Sequence, residues 1–341
     1  PALTAAVATG RPLLACYVLD DVAPGDWAMG GASRWWLHHS LSWLQGELEA
    51  IGGRLLLLQG PAAIEIPALA QSVNAAEVYC SKQIEPWALA QEEETESLLA
   101  TQGVDLHRID GALLFSPDEL RTGGGQPFKV FTPFWRRALA LPAPPTPLQR
   151  PRNVTFHTGG PKGVTLKSLA LTPSKPDWAA HWGDYWEPGS DGARKALRKF
   201  LGKALDDYDE SRNHPARAAT SRLSAHLHFG EVSPRQVWYA VHAHCNKQGA
   251  DPHQRDKFLS ELGWREFNHH LLWHFPDIPE SAFNARFDHF PWLGDPKHLK
   301  AWQKGLTGYP IVDAGMRVLW HTGYMHNRVR MIAASFLTKH L

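Results

Sequence analysis

The 341-residue sequence has only three cysteines, Cys16, Cys80 and Cys245, far apart and without C-x-x-C or cysteine–histidine ligand spacing. That excludes a disulfide framework and a zinc finger, and a reducing, cytoplasmic setting is expected. Apolar runs are short, as at 55–58, far below the roughly 18 residues of a membrane span. No signal peptide can be read. The glycines at 123–125 and at 159, 160 and 163 lack both the Lys-Ser/Thr of a P-loop and the G-x-G-x-x-G spacing, so they read as loops. No internal repeat is visible. His270 and His274 lie four apart, but no glutamate occupies the H-E-x-x-H position, and His226 and His228 merely flank one residue. No metal site is expected.

What is present is a globular composition, 43% hydrophobic and 20% charged with a mean hydropathy of −0.33. The overall charge of +1 conceals an asymmetry: residues 1–150 carry a net −6 and residues 151–341 a net +7. The second part also holds 16 of the 19 histidines and 9 of the 15 tryptophans. Basic charge interleaved with aromatics is one footprint of nucleic-acid binding, and equally of a solvated face over a Trp-rich core. The chain starts at Pro1, in a helical fragment without a start signal, and stops in an amphipathic helix without a cap. It is therefore expected to be an internal segment of a longer protein.

Along residues 1–140, strand candidates at 13–19, 54–58, 77–80 and 105–109 alternate with helical stretches. The helices are expected at 33–51, with Ser33 as N-cap, 62–73 and 87–101. Strands alternating with helices imply a doubly wound α/β domain with a parallel sheet. Residues 141–177 are Pro-rich and read as a linker. From 178 to 341 the strand signal disappears, and helices are expected at 192–208, 233–246, 253–274, 298–305, 312–322 and 325–341, an all-α domain.

Three groups of residues in this second domain carry chemical potential. Thr220, Ser221, Arg222, Leu223 and Ser224 place hydroxyls and a guanidinium at a helix start, which suits an anion and equally suits ordinary capping. Glu261 and Arg265 are spaced i, i+4, with Trp264 on the side of Glu261. In 325–331 (MHNRVRM), Asn327, Arg330 and Met331 share a helical face while Arg328 points elsewhere.

In this order, and with 127–135 (PFKVFTPFW) and 307–314 (TGYPIVDA), these stretches resemble the DNA photolyase and cryptochrome family. The resemblance covers essentially the whole chain. It implies an α/β antenna domain, a long connector and a helical FAD-binding domain. Met325-His326-Asn327-Arg328 is similar to the class I cyclobutane pyrimidine dimer photolyases; plant cryptochromes typically carry Asp in place of the Asn. The implied activity is light-driven repair of pyrimidine dimers in UV-damaged DNA by electron transfer from reduced FAD, by a monomer without membrane association. A cryptochrome, which signals without repair, is the competing class.

By the resemblance, Tyr208 and the run Thr220, Ser221, Arg222, Leu223 and Ser224 would contact FAD, and Arg265 and Arg330 would face it. Glu261 and Asn327 would be catalytic, with Trp264 stacking on the flipped-out dimer and Met331 lining its pocket. Arg212 and Arg328 would hold DNA phosphates. Trp292 resembles the outermost member of an electron-transfer chain of tryptophans. Folate-binding relatives carry Asn-Glu where this sequence has Ile84-Glu85, so a methenyltetrahydrofolate antenna is matched only at Glu85. Since the family extends beyond both ends, the isolated chain is expected to bind FAD poorly and to repair little.

Overall fold

The computed structural model describes residues 1–249 and 251–341. A short helix α1 (Ala2–Ala8) leads into β1 (Ala15–Leu19), α2 (Gly31–Glu49), β2 (Leu55–Gln59), α3 (Ala62–Ser72), β3 (Glu77–Ser81), α4 (Pro86–Ala100) and β4 (Asp105–Ile109). Strands and helices thus alternate as the apolar pattern requires. β1 pairs in parallel with β2, Tyr17 opposite Leu57, and β3 with β4, Tyr79 opposite His107. The expected single sheet is instead two parallel pairs, β1 with β2 and β3 with β4. α2 starts at Gly31 with Gly30 as N-cap, not at Ser33, so Ser33 lies inside the first turn.

After β4 the chain forms α5 (Phe131–Leu139) and then runs without a helix or strand through the Pro-rich stretch, whose Phe156 bridges back to Leu13. The remaining elements are helical: α6 (Ser190–Lys203), α7 (Tyr208–Ser211), α8 (Ser224–His228), α9 (Pro234–Gln248), α10 (Pro252–His274), α11 (Pro296–Gln303), α12 (Pro310–Thr322) and α13 (Asn327–His340). The expected helix 192–208 is thus two, separated at 204–207. The expected helix from 325 starts two residues later, with His326 as its N-cap.

Local sequence accounts for the helix boundaries. α9 opens on a capping box between Ser233 and Gln236 with Pro234 in its first turn, and closes on Gly249 in the left-handed region. α10 opens on Asp251, whose carboxylate accepts from His253 N, followed by Pro252. At the end of α12, Gly323 has φ 68°, and a Cβ there would lie 2.8 Å from the Trp182 ring.

Two cores matter for function. Leu19, Leu37, Leu41, Leu55 and Leu57 bury against Leu169 and Leu171 of the connecting stretch. The larger core joins Phe134 and Trp135 of α5 to Phe200 of α6, Val237 and Val241 of α9, and Phe258, Leu262 and Phe267 of α10. α5 therefore packs with the helices that follow the Pro-rich stretch. α10, 23 residues and about 35 Å long, is the shared wall between this core and the seam with the α/β unit.

Candidate cofactor and substrate site

α10 brings Glu261 to Arg212, the residue that ends α7. Arg212 is buried, and its Nη1 donates to Glu261 Oε1. Its guanidinium lies 5.2 Å from the Tyr208 ring centre. Burial pushes the Tyr208 hydroxyl well above its ordinary pKa; Arg212 and Arg328 oppose this, while Glu261 and Tyr324 add to it. Arg212 beside it and two stretches distant in sequence, Glu261 and 324–328, thus act on one phenol. Arg328 Nε and Nη2 donate to Asn213 Oδ1 at 2.9 and 2.6 Å, so α13 is tied to the residue after Arg212. Burial, with Arg328 and Arg212 nearby, holds His326 below the usual imidazole range. Asn327 and Met331, one turn apart on α13, are both exposed, and so is Trp264, one turn along α10 from Glu261.

The Thr220–Ser224 run joins this group through Tyr324, whose hydroxyl lies 2.9 Å from Thr220 Oγ1. Arg222 has φ 54°, in the left-handed region, and its guanidinium sits 4.1 Å over Trp186 and 4.7 Å over Tyr324. Its Nε is buried without a hydrogen-bond partner. Leu223 is buried beneath, Ser221 is half-buried and Ser224 exposed, and no side chain caps the first amides of α8. A buried cationic donor without an acceptor, next to uncapped amides and three hydroxyl residues, fits the diphosphate of a dinucleotide.

Three expected residues, Arg265, Arg330 and Arg212, make contacts other than those expected of them, whereas Trp292 lies at the surface as an outermost residue would. Arg265 turns away from the Thr220–Ser224 run: its Nη1 donates to Ala112 O at 2.7 Å and to Glu266 Oε1 at 3.3 Å. The reason is Glu266, fully buried at the seam, which accepts from Leu114 N at 2.7 Å and Phe115 N at 3.4 Å and takes Arg265 as counter-charge. Arg330 is exposed, and its guanidinium donates to Met325 O at 3.3 Å. Arg212, expected on DNA phosphates, spends its guanidinium on Glu261. Trp292 is 61% exposed, packed on Phe290 with ring centres 4.6 Å apart, and makes no ring contact with the group around Tyr208. His270 and His274 also serve the seam: Nε2 of His270 accepts from Phe128 N, and His274 bonds Pro117 O.

Nothing in the linear pattern singles out Glu231. It is buried and accepts from Trp36 Nε1 at 3.0 Å, from Gly189 N at 2.7 Å and from His226 Nδ1, fastening α8 to α2. Trp186, which faces Arg222, was equally silent, whereas Tyr324 directly precedes the 325–331 stretch. Nor was the cavity of about 470 Å³ at the seam foreseen, lined by Lys82, Ile84, Leu114, Pro144, Arg235 and Trp273 among others. Among the described residues no group of three or more metal-ligating side chains occurs, and no helix is long and apolar enough to cross a membrane.

An α/β unit is joined through one long helix to a helical unit whose Thr220–Ser224 run offers an unpaired cationic donor and uncapped amides to an anion, a two-part architecture. Two family models match it: "DNA photolyase" over residues 1–152 and "FAD binding domain of DNA photolyase" over residues 258–341. A deoxyribodipyrimidine photo-lyase of Agrobacterium fabrum is 43% identical over 340 residues, covering 100% of this chain and 70% of the relative. Cryptochrome-1 of Arabidopsis thaliana is 33% identical over 346 residues, 99% of this chain and 50% of the relative. The crystal structure of a bacterial class III photolyase from Agrobacterium tumefaciens superposes with a TM-score of 0.95 at 43% identity, over 100% of this chain and 70% of that one. The chain belongs to the DNA photolyase and cryptochrome family, and it carries that family's FAD-binding domain. The solved relative is described as class III, whereas residues 325–328 pointed to class I.

Proposed function

We propose that the protein carrying this chain repairs cyclobutane pyrimidine dimers in DNA under light, using reduced FAD. The observation that supports it most is the convergence of Arg212, Glu261, Asn213, Arg328 and Tyr208 from α7, α10 and α13 on one partly open site. Glu261 is held by Arg212 on one oxygen, which leaves the other to hydrogen-bond a flipped-out base. Trp264 offers an exposed ring one turn away, and Asn327 an exposed amide at the start of α13. Arg328 is the cation free to meet backbone phosphate at the rim. Thr220, Ser221, Arg222 and Ser224 would hold the FAD diphosphate, with Tyr208 and Leu223 packing beneath. Bound there, reduced FAD would supply the electron for opening the cyclobutane ring and would recover it; the residues of this chain bind and orient cofactor and dimer and exclude water.

On subclass, 43% identity over the whole chain outweighs a four-residue motif, and we read the protein with class III. The seam cavity beside Ile84 is the place we assign to an antenna chromophore; methenyltetrahydrofolate is the candidate, with Glu85 adjacent. The domain limits we propose are 1–140, 141–177 and 178–341, with α5 packed on the last.

The test is repair of a thymine-dimer oligonucleotide by the flavin-reduced protein under blue light against a dark control. Light-dependent loss of dimers is expected. Flavin binding without repair would overturn the reading in favour of the signalling photoreceptor that the 33% identity to a cryptochrome also accommodates.

A further inference from the structure

Phe131, in the 127–135 stretch, lies against Trp264, the residue assigned to stack on the base. The Phe131 and Trp264 rings are stacked at 3.8 Å between centres and 9° between planes. Behind Phe131, the Trp135 ring continues the stack at 6.4 Å and 12°. Phe267 closes the edge, meeting Phe131 at 5.9 Å and 70°, and Trp264 at 5.9 Å and 76°. Gly263 makes room for this arrangement, because a Cβ there would lie 2.7 Å from the Trp135 ring. Exposure falls along the stack: Trp264 is 44% exposed, Phe131 is half-buried and Trp135 is 9% exposed.

An exposed indole on a helix has rotamer freedom to lose when it stacks on a ligand. Here that freedom is already restricted, since one face is covered by a parallel ring anchored in the helical core through Trp135. The remaining face is the accessible one.

We infer that Phe131 is a positioning residue for substrate recognition: it backs Trp264 so that the open face of the indole is preset to receive an extruded pyrimidine pair. The inference deepens the repair reading and rests on it. Phe131 touches no reacting atom; it acts through Trp264. An offset-stacked aromatic pair contributes about 0.5–1.5 kcal/mol beyond its area, which converts to roughly a 2- to 13-fold change in affinity.

The experiment measures dissociation constants in the dark for a thymine-dimer oligonucleotide and its undamaged counterpart, with flavin content and Tm as controls. Wild type, Phe131→Ala, Phe131→Leu, Phe131→Tyr, Trp264→Ala and the Phe131→Ala/Trp264→Ala double variant are compared. The inference expects Phe131→Ala to lose roughly 3- to 10-fold in affinity for the dimer with undamaged DNA unaffected, and Phe131→Tyr to restore it. It also expects Phe131→Ala to cost nothing further once Trp264 is gone. If Phe131→Ala lowers Tm so far that binding cannot be read, Phe131→Leu, which keeps the volume but not the flat ring, carries the comparison. Equal weakening on both DNAs, or full additivity of the two alanine substitutions, would overturn the inference while leaving the repair reading intact. A wild-type protein that does not discriminate the dimer would overturn both.

Discussion

Arg212 and Glu261 form an ion pair in which the cation is the deeper partner: the arginine side chain is 9% exposed and the glutamate 31%. The acid expected to touch substrate is therefore also, among the described residues, the carboxylate bonded to a buried guanidinium. Glu261→Ala would leave that charge unmatched and is expected to cost roughly 1–3 kcal/mol, less than for a fully buried pair because water reaches the carboxylate. Glu261→Gln keeps an acceptor and should recover most of the stability but not the repair rate. Thermal melting read beside light-driven repair checks this; a Gln variant as unstable as Ala would show that charge, not the acceptor, is what Arg212 needs.

Glu266 supplies a pH dependence. Burial raises its carboxyl from 4.5 to about 7, with Arg265 and the Leu114 and Phe115 amides opposing. In the folded state it holds a proton more tightly than in the unfolded chain between those two values. Its contribution is then complete below about pH 4.5 and is lost as pH rises through about 7, on the order of 3 kcal/mol. Urea unfolding from pH 5 to 8 should show wild type losing stability relative to Glu266→Gln across this window. Parallel curves would refute the assignment. Because the Ala112–Phe115 segment that Glu266 and Arg265 hold also lines the seam cavity, the same titration should loosen any chromophore bound there.

These two glutamates show what could be read from sequence and what could not. Glu261 and Trp264 stand one turn apart in a run with helical spacing, so their common side follows from 3.6 residues per turn. All four strands were located within about two residues; 55–58 is a near-continuous apolar run, buried over Leu55–Leu57, whereas the half-buried, mixed 105–109 was located by its place between helical stretches. Glu266 and Arg265 sit in the same run, but their direction is fixed by the loop 112–115, which reaches α10 only through the tertiary fold. The same holds for Glu231: a lone acid before a capping box reads as surface until Trp36, Gly189 and His226, from three other segments, are seen to converge on it.

The Glu231 junction makes a strong prediction. Glu231→Ala would strand the Trp36 indole N–H, the Gly189 amide and His226 Nδ1 in a buried place, at roughly 3–5 kcal/mol. Since α8 follows directly on the Thr220–Ser224 run, loss of flavin should accompany loss of stability. Urea unfolding together with flavin absorbance after gel filtration measures both; a variant within 1 kcal/mol of wild type would mean that water replaces the carboxylate.

Arg222 separates cofactor binding from folding. Its guanidinium rests on two aromatic faces and its Nε has no acceptor, so the side chain is placed more for an anion than for the fold. Arg222→Ala is expected to weaken FAD retention roughly 10- to 100-fold through a lost charge-assisted hydrogen bond, while Tm of the flavin-free protein changes little. Flavin titration by fluorescence quenching gives the answer, and unchanged affinity would move the diphosphate away from this loop.

The two arginines expected on DNA should differ in their salt response. Arg328 is partly exposed and bonded only to the neutral Asn213 amide, so its charge is available to a phosphate. Arg212 is already neutralised by Glu261 and screened from solvent. Each phosphate contact contributes about 0.9 to the slope of log K against log salt on duplex DNA. Arg328→Ala should reduce that slope by about one and weaken damaged and undamaged DNA to a similar extent. Arg212→Lys, which keeps the charge on Glu261, should leave the slope unchanged. Fluorescence anisotropy between 50 and 200 mM salt, a range over which phosphate contacts dominate, distinguishes the two. A reduced slope for Arg212→Lys with none for Arg328→Ala would place the phosphate track on the other side of the site.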